Sequence, residues 1–253
     1  MKIYISDKKN LKSYTLPSKI EDSFVINYTS DSGVLEKITL TAEGNKWSIS
    51  SSYDIKIFKN GVEVTKDFLD NYCFYQVKFS DLEEMIMLYC FDIPIKYYDY
   101  DLGNKDTISL GRQSADILYD NAYIANPHFV VSRYNNQWIF KDQNNDSIIT
   151  FINNKREHSR VLSLGDVIFT NGLKIIWMDT FIRISNPANK VKTTLQPYKG
   201  FAMMGAENKF TPVKETEKLI TLYGENDVVF HKPRTKNYIT WMKVNISPPP
   251  PSQ

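Results

Sequence analysis

Two cysteines, three histidines and ten glycines in 253 residues leave little material for several kinds of chemistry. Cys73 and Cys90 stand in no CxxC or comparable spacing, so neither a zinc site nor a disulfide framework is written into the chain. One disulfide could join them, but two thiols in a reducing compartment is the simpler reading. His128, His158 and His231 are scattered, none with a second histidine or cysteine at metal-ligand spacing. The phosphate loop GxxxxGKS/T is missing, as are GxGxxG, HExxH and GxSxG. Acidic pairs such as Glu83-Glu84 read as solvated surface rather than acid/base dyads. Neither sign of charge prevails: 31 Lys and Arg against 29 Asp and Glu give +2, interspersed along the chain. A nucleic-acid partner is therefore not expected, because such binders concentrate positive charge on one face. Long hydrophobic runs are lacking too. The longest, near Met85–Phe91, falls far short of the roughly 20 residues a membrane span needs. The start, Met1-Lys2-Ile3-Tyr4-Ile5-Ser6-Asp7, turns polar too early for a secretory signal. The expectation is a soluble, non-catalytic chain with no metal and no cofactor of its own.

Aromatic residues, by contrast, make up 13%, with 16 Tyr and 14 Phe, and hydrophobic residues 42%. Aromatic and β-branched residues suit pleated, half-buried surfaces. Short alternating runs follow one another: Lys2–Ser6, Ser23–Tyr28, Glu36–Thr41, Lys46–Ser50, Asp54–Phe58 and Phe74–Phe79 each read as a strand. Turn chemistry separates them at Asp31-Ser32-Gly33, Glu43-Gly44-Asn45 and Asn60-Gly61, the last a strong hairpin signal. Asp81–Met87 fits either a short helix or a wide loop. The layout recurs from Ile93 to Ser185, with turns at Asn135-Asn136, Asn144-Asn145, Asn153-Asn154 and Asn171-Gly172. The halves are in phase about Trp47 and Trp138, and Phe68-Leu69-Asp70 falls near Leu164-Gly165-Asp166. This is the pattern of a diverged tandem duplication. It predicts an all-β chain of two tandem β-sandwiches, residues 1–92 and 93–186, and a mostly irregular linker over 187–253. Glu215–Tyr223 could form a short helix in that stretch. The Pro-rich end, Ser247 to Gln253, reads as an extended linker leading toward something further, as in a fragment.

One series of landmarks is more specific. Gly111-Arg112 is followed by Ala125-Asn126-Pro127-His128, then by a strand from Trp138 to Asp142, then Ile148 to Asn153, then Gly165-Asp166. In order and spacing, Tyr97–Ser185 resembles the forkhead-associated (FHA) domain, a β-sandwich whose loops at one end grip a phosphothreonine peptide. The resemblance implies that Arg112 occupies the position of the phosphate-binding arginine, where a guanidinium offers charge-assisted, potentially bidentate bonds. It implies a structural role for His128. Two departures matter. Ala125 stands where the family has a phosphate-binding serine, and Ile148 stands where it has the asparagine that holds the peptide backbone. Each charge-assisted bond lost removes about 1.5–3 kcal/mol, so losing two weakens a complex by roughly two to four orders of magnitude. A degenerate site is expected, with Arg112 paired to a nearby carboxylate. The first unit has no Gly-Arg and no Ser-x-x-His between Val25 and Trp47, and resembles the same sandwich without its binding site.

Two degenerate FHA units, a Phe230-His231-Lys232-Pro233-Arg234 stretch and a Pro-rich end together resemble the N-terminal region of the EssC (YukBA-like) family. These are membrane-anchored FtsK/SpoIIIE-type ATPases of Gram-positive type VII secretion systems. The resemblance implies a location at the cytoplasmic face of the cell membrane, contact with the membrane only through following segments, and a homo-oligomeric parent. ATP and Mg belong to the implied parent modules and not to these residues. It also implies phosphorylation-independent docking of other secretion components, among them the pseudokinase-like EssB, by the loops around Arg112, Asn121–Asn126 and Gln143–Ile148. Two further readings stand beside this one. The first is a working phosphothreonine reader in the second sandwich. The second is a carbohydrate-binding or enzymatic all-β module, which the Tyr97-Tyr98-Asp99-Tyr100 cluster would serve.

Overall fold

Alternating runs such as Ser23–Thr29 and Phe74–Phe79 become strands with one buried face. The computed structural model describes residues 1–17, 23–30, 33–80, 85–91, 95–143 and 150–199, together with the backbone of 201–204, 210–213, 228–231 and 241–244. The first sandwich contains β1 (Lys2–Ser6), β2 (Leu11–Thr15), β3 (Ser23–Thr29), β4 (Leu35–Glu43), β5 (Lys46–Ser50), β6 (Ile55–Lys59), β7 (Val62–Val64), β8 (Lys66–Phe68), β9 (Phe74–Phe79) and β10 (Met85–Phe91). One sheet runs β2-β1-β10-β9-β6-β7 and the other β3-β4-β5-β8. Ile26, Ile38, Leu40, Ile49, Ile57, Val77, Phe79 and Leu88 interdigitate between them and are almost fully buried.

The second sandwich contains β11 (Tyr97–Asp101), β12 (Thr107–Gly111), β13 (Ile117–Tyr119), β14 (Phe129–Tyr134), β15 (Gln137–Asp142), β16 (Thr150–Ile152), β17 (Lys155–Arg156), β18 (Ser159–Val161), β19 (Val167–Thr170), β20 (Leu173–Trp177), β21 (Phe181–Ser185), β22 (Val191–Thr193) and β23 (Gln196–Pro197). Its sheets run β17-β16-β19-β20-β21-β11-β23 and β18-β15-β14-β12-β13-β22. Trp138 meets Trp177 edge to face at 5.1 Å inside this core, beside Ile108, Leu110, Phe129 and Phe140.

The two sandwiches share hydrogen-bond landmarks. Leu69 N donates to Trp47 O, and Leu162 N donates to Trp138 O, each at 2.8 Å. Leu69 therefore corresponds to Leu162, three residues earlier than the alignment of Phe68-Leu69-Asp70 with Leu164-Gly165-Asp166 expected. The edge hairpins also correspond. Asn60-Gly61 joins β6 to β7, and Asn153-Asn154 joins β16 to β17, all four residues with positive φ. A two-residue hairpin whose twist matches its strands needs that backbone at both positions, which is why asparagine and glycine recur there.

Three stretches differ from the sequence expectation. Of Asp81–Met87, open between helix and loop in the sequence, residues 81–84 lie outside the described residues and Met85–Met87 begin the strand β10, which from Ile86 onward is buried or half-buried on both sides. Ile86, Leu88 and Cys90 enter the first core, while Met87, Tyr89 and Phe91 face the second sandwich. An alternating pattern is absent because neither face meets water. The boundary expected at residue 186 moves as well. After a short 3-10 turn at Pro187–Asn189, β22 and β23 add an edge strand to each sheet of the second sandwich, and Leu195 is buried in its core. Beyond it, β24 (Phe201–Met204), β25 (Phe210–Val213), β26 (Val228–His231) and β27 (Trp241–Val244) pair in the order β25-β24-β26-β27. Glu215–Tyr223 and the Pro-rich end lie outside the described residues.

The two sandwiches meet through aromatic residues. Tyr4 stacks on Phe169 at 5.2 Å and meets Phe91 edge-on at 5.4 Å, and Tyr89 meets Phe169 edge-on at 5.2 Å. Tyr89 Oη donates to Asn171 Oδ1 at 3.1 Å, and Leu11 N donates to Asn154 O at 3.0 Å. Gly172, at φ 86, brings its hairpin so close that an added Cβ would lie 3.5 Å from the Phe91 ring. Cys73 and Cys90 are thiols with no disulfide between them, and Cys90 N donates to Cys73 O at 2.9 Å.

Candidate functional site

The loops at one end of the second sandwich gather most of the residues singled out in the sequence. β12 ends at Gly111, whose neighbours leave no room for a side chain: an added Cβ would stand 2.6 Å from Asn126 Oδ1 and 3.3 Å from Ala115 Cβ. Arg112 follows, exposed, with its backbone N–H donating to Ala125 O at 3.2 Å. Asn126 Oδ1 accepts from Gln113 N at 3.2 Å. The structure thus brings Gly111, Arg112, Ala125 and Asn126 together at the edge of one surface. Ile148 lies outside the described residues.

Arg112 has no carboxylate within ion-pair distance among the described residues, so the expected pairing with a neighbouring acid is not seen there. The nearby acid Asp116 is engaged elsewhere. It accepts from Ser109 N and Oγ, each at 2.9 Å, and pairs with Lys105. Burial pushes its carboxyl up, but these bonds outweigh burial and hold it below the usual carboxylate range. At position 125, an alanine methyl takes the place of any hydroxyl that could donate beside Arg112. Of the three groups expected to grip a phosphopeptide, the Arg112 guanidinium is present, position 125 has no hydroxyl, and position 148 lies outside the described residues.

His128 lies directly beneath. It is completely buried, with Nε2 2.7 Å from Thr170 Oγ1 and 3.2 Å from Thr150 Oγ1. His128 N donates to Leu110 O at 2.7 Å, and Gln143 N donates to His128 O at 3.0 Å. One residue thereby fastens β12, the strand that follows it and the start of the loop after β15. Burial lowers its pKa to about 4, so the ring is neutral and serves as a strut rather than a charge. Thr170 was not singled out in the sequence, and Thr150 stood there only within the run Ile148 to Asn153, with no role of its own. Isolated threonines in strands carry no signal of a buried partner.

The remaining landmarks hold the frame. Asn153 Nδ2 donates to Asp166 Oδ1 at 2.7 Å, and Asn153 Oδ1 accepts from Val167 N at 2.9 Å. Asp166 Oδ2 accepts from Ser163 N at 2.9 Å, next to Gly165 at φ 86. Trp138 is buried, and Asp142 starts the loop toward Gln143 by donating its N–H to His158 O at 2.8 Å. None of these five reaches Arg112.

Part of the expected docking rim is already occupied. Tyr123 meets Phe74 of the first sandwich edge-on at 5.2 Å, and its carbonyl accepts from Asn171 Nδ2 at 3.3 Å. The free rim is therefore Arg112–Ser114 with Asn126 and Pro127, all exposed. The tyrosine cluster offers no sugar platform. Asp99 accepts from Arg183 Nε at 2.6 Å and Nη2 at 2.7 Å, with both side chains buried. Tyr97 packs against Ile176, Met178 and Phe181, and Tyr100 against the second core. No helix among the described residues is long and apolar enough to cross a membrane.

Residues 100–169 match the family model of the FHA domain. No curated protein matches the sequence. A solved structure described as the N-terminal FHA domain from EssC, a component of the bacterial Type VII secretion apparatus, superposes with a TM-score of 0.54 at 14% identity, over 78% of this chain and 97% of that one. Residues 100–169 are thus similar to the FHA domain, within a β-sandwich fold shared with the solved N-terminal FHA domain of EssC.

Proposed function

We propose that the paired sandwiches are a docking module of a type VII secretion machine, acting at the cytosolic face of the membrane and binding its partners without phosphorylation. The observation that carries this is Ala125 beside the exposed Arg112, where the resemblance expects a phosphate-binding serine. The scaffold around it is fully kept, with Gly111, His128 and Asn153 all in packed or bonded positions. A fold that retains its struts and gives up its anion-binding hydroxyl fits flat protein contact rather than recognition of one phosphate. Likeness to the EssC fold supports the choice of machine. The pseudokinase-like EssB is the first partner to examine, and the ATPase of the parent would lie in segments other than these.

The test is capture of purified secretion components, EssB included, on the immobilised chain, before and after phosphatase treatment. Equal capture in both conditions is expected. No capture of any component, or capture abolished by phosphatase, refutes the proposal. A second reading, a phosphothreonine reader, is favoured by one observation: the Arg112 guanidinium is exposed and has no acidic partner among the described residues. Saturable binding of a phosphothreonine peptide, lost in Arg112→Ala, would establish it.

A further inference from the structure

The interface between the sandwiches contains a cleft of about 480 Å³, lined by Lys2, Tyr4 and Ser13 from the first and by Tyr97, Asn154 and Lys174 from the second. Two ammonium groups converge there on one ring. Lys2 Nζ lies 5.2 Å and Lys174 Nζ 5.3 Å from the centroid of Tyr4. Lys174 Nζ also donates to Tyr4 Oη at 3.2 Å. The ring itself is held by Phe169 and Phe91, so the phenol is a fixed point.

Among the described residues the two cations lack a counter-charge. No carboxylate stands within 4.0 Å of either among the described residues, whereas Lys46, Lys56, Lys59, Lys66 and Lys105 each have one. Burial, with Lys2 adding to it, lowers the Lys174 pKa to about 8. A desolvated ammonium is costly unless paired, and a neighbouring ammonium raises that cost. One phenol oxygen satisfies only one of its three hydrogens. Because Tyr4 Oη accepts from Lys174, its own hydrogen is directed elsewhere, as a further donor. Cations and hydroxyl donors without an acid describe a receptor for an oxyanion with more than one negative charge.

We propose that this cleft binds a phosphate-class oxyanion, held by Lys2, Lys174 and the Tyr4 phenol, and that the anion bridges the two sandwiches. The cleft is separate from the Arg112 loops: it joins β1 to β20, where the sheets of the two sandwiches meet, and none of Gly111, Arg112, Ala125 and Asn126 lines it.

The experiment titrates the whole chain with inorganic phosphate, against sodium chloride at matched ionic strength, while following the melting temperature and the Lys174 side chain by NMR. Expected is a saturable rise in melting temperature and an upward shift of the Lys174 pKa by about one unit or more. Lys174→Met should abolish the phosphate-dependent rise, and Lys2→Ala should weaken it about tenfold. Arg112→Ala should leave it unchanged. Should Lys174→Met fail to fold, the Lys2→Ala series and the wild-type Lys174 titration decide the matter. Equal effects of phosphate and chloride would overturn the proposal, as would a phosphate effect that survives loss of the lysines or disappears with Arg112.

Discussion

Two residues at the loop end show how differently neighbouring side chains contribute. Arg112 is exposed and unpartnered among the described residues, so Arg112→Ala should change stability by less than about 0.5 kcal/mol, read by urea denaturation. His128 is the opposite case. Its folded pKa of about 4 lies below the ordinary value of 6.5, so the fold prefers the neutral ring. Stability from this source is complete above pH 6.5 and is lost as pH falls toward 4, because the unfolded chain takes up the proton first. The linked loss is of the order of 3 kcal/mol. Denaturation at pH 7 and pH 4.5 should show it, and His128→Asn should flatten the difference. Arg112, Ala125 and His128 were legible in the sequence because their spacing belongs to one loop system. The roles of Thr150, Thr170 and Lys174 were not, since their partners come from strands far away in sequence and a lone threonine or lysine does not announce a buried neighbour.

At the scale of elements, the hairpins were the most legible feature. Asn60-Gly61, Asn135-Asn136, Asn153-Asn154 and Asn171-Gly172 all adopt positive φ, and residue type alone specifies that backbone. Strand β10 was hidden for the reason that makes it important: buried on both faces, it shows no alternation. β22 and β23 were hidden because they are short edge strands, largely exposed, whose pairing rather than composition defines them. The same reasoning identifies where the inter-sandwich contact is most sensitive. Phe169, on β19, is touched by both Tyr4 and Tyr89. Phe169→Ala should cost about 3–5 kcal/mol, well above the effect of an exposed substitution such as Val62→Ala. Thermal denaturation of the two variants would establish the order.

For the whole molecule, the aromatic contacts, the Tyr89–Asn171 bond and the Leu11–Asn154 bond make one structural unit of two sandwiches. Wild-type unfolding is expected as a single transition by both tryptophan fluorescence and circular dichroism, and Phe169→Ala should separate it into two. These contacts set the first sandwich beside the loop end of the second, where Tyr123 meets Phe74. The central claim is that this rim recognises protein surface without a phosphate. Its most direct test is titration of the whole chain with phosphothreonine peptides, followed by NMR at Arg112 Nε–H and the backbone amides of Gln113 and Asn126. Shifts that stay small and do not saturate are predicted. Saturable shifts at these groups, lost in Arg112→Ala, would contradict the account.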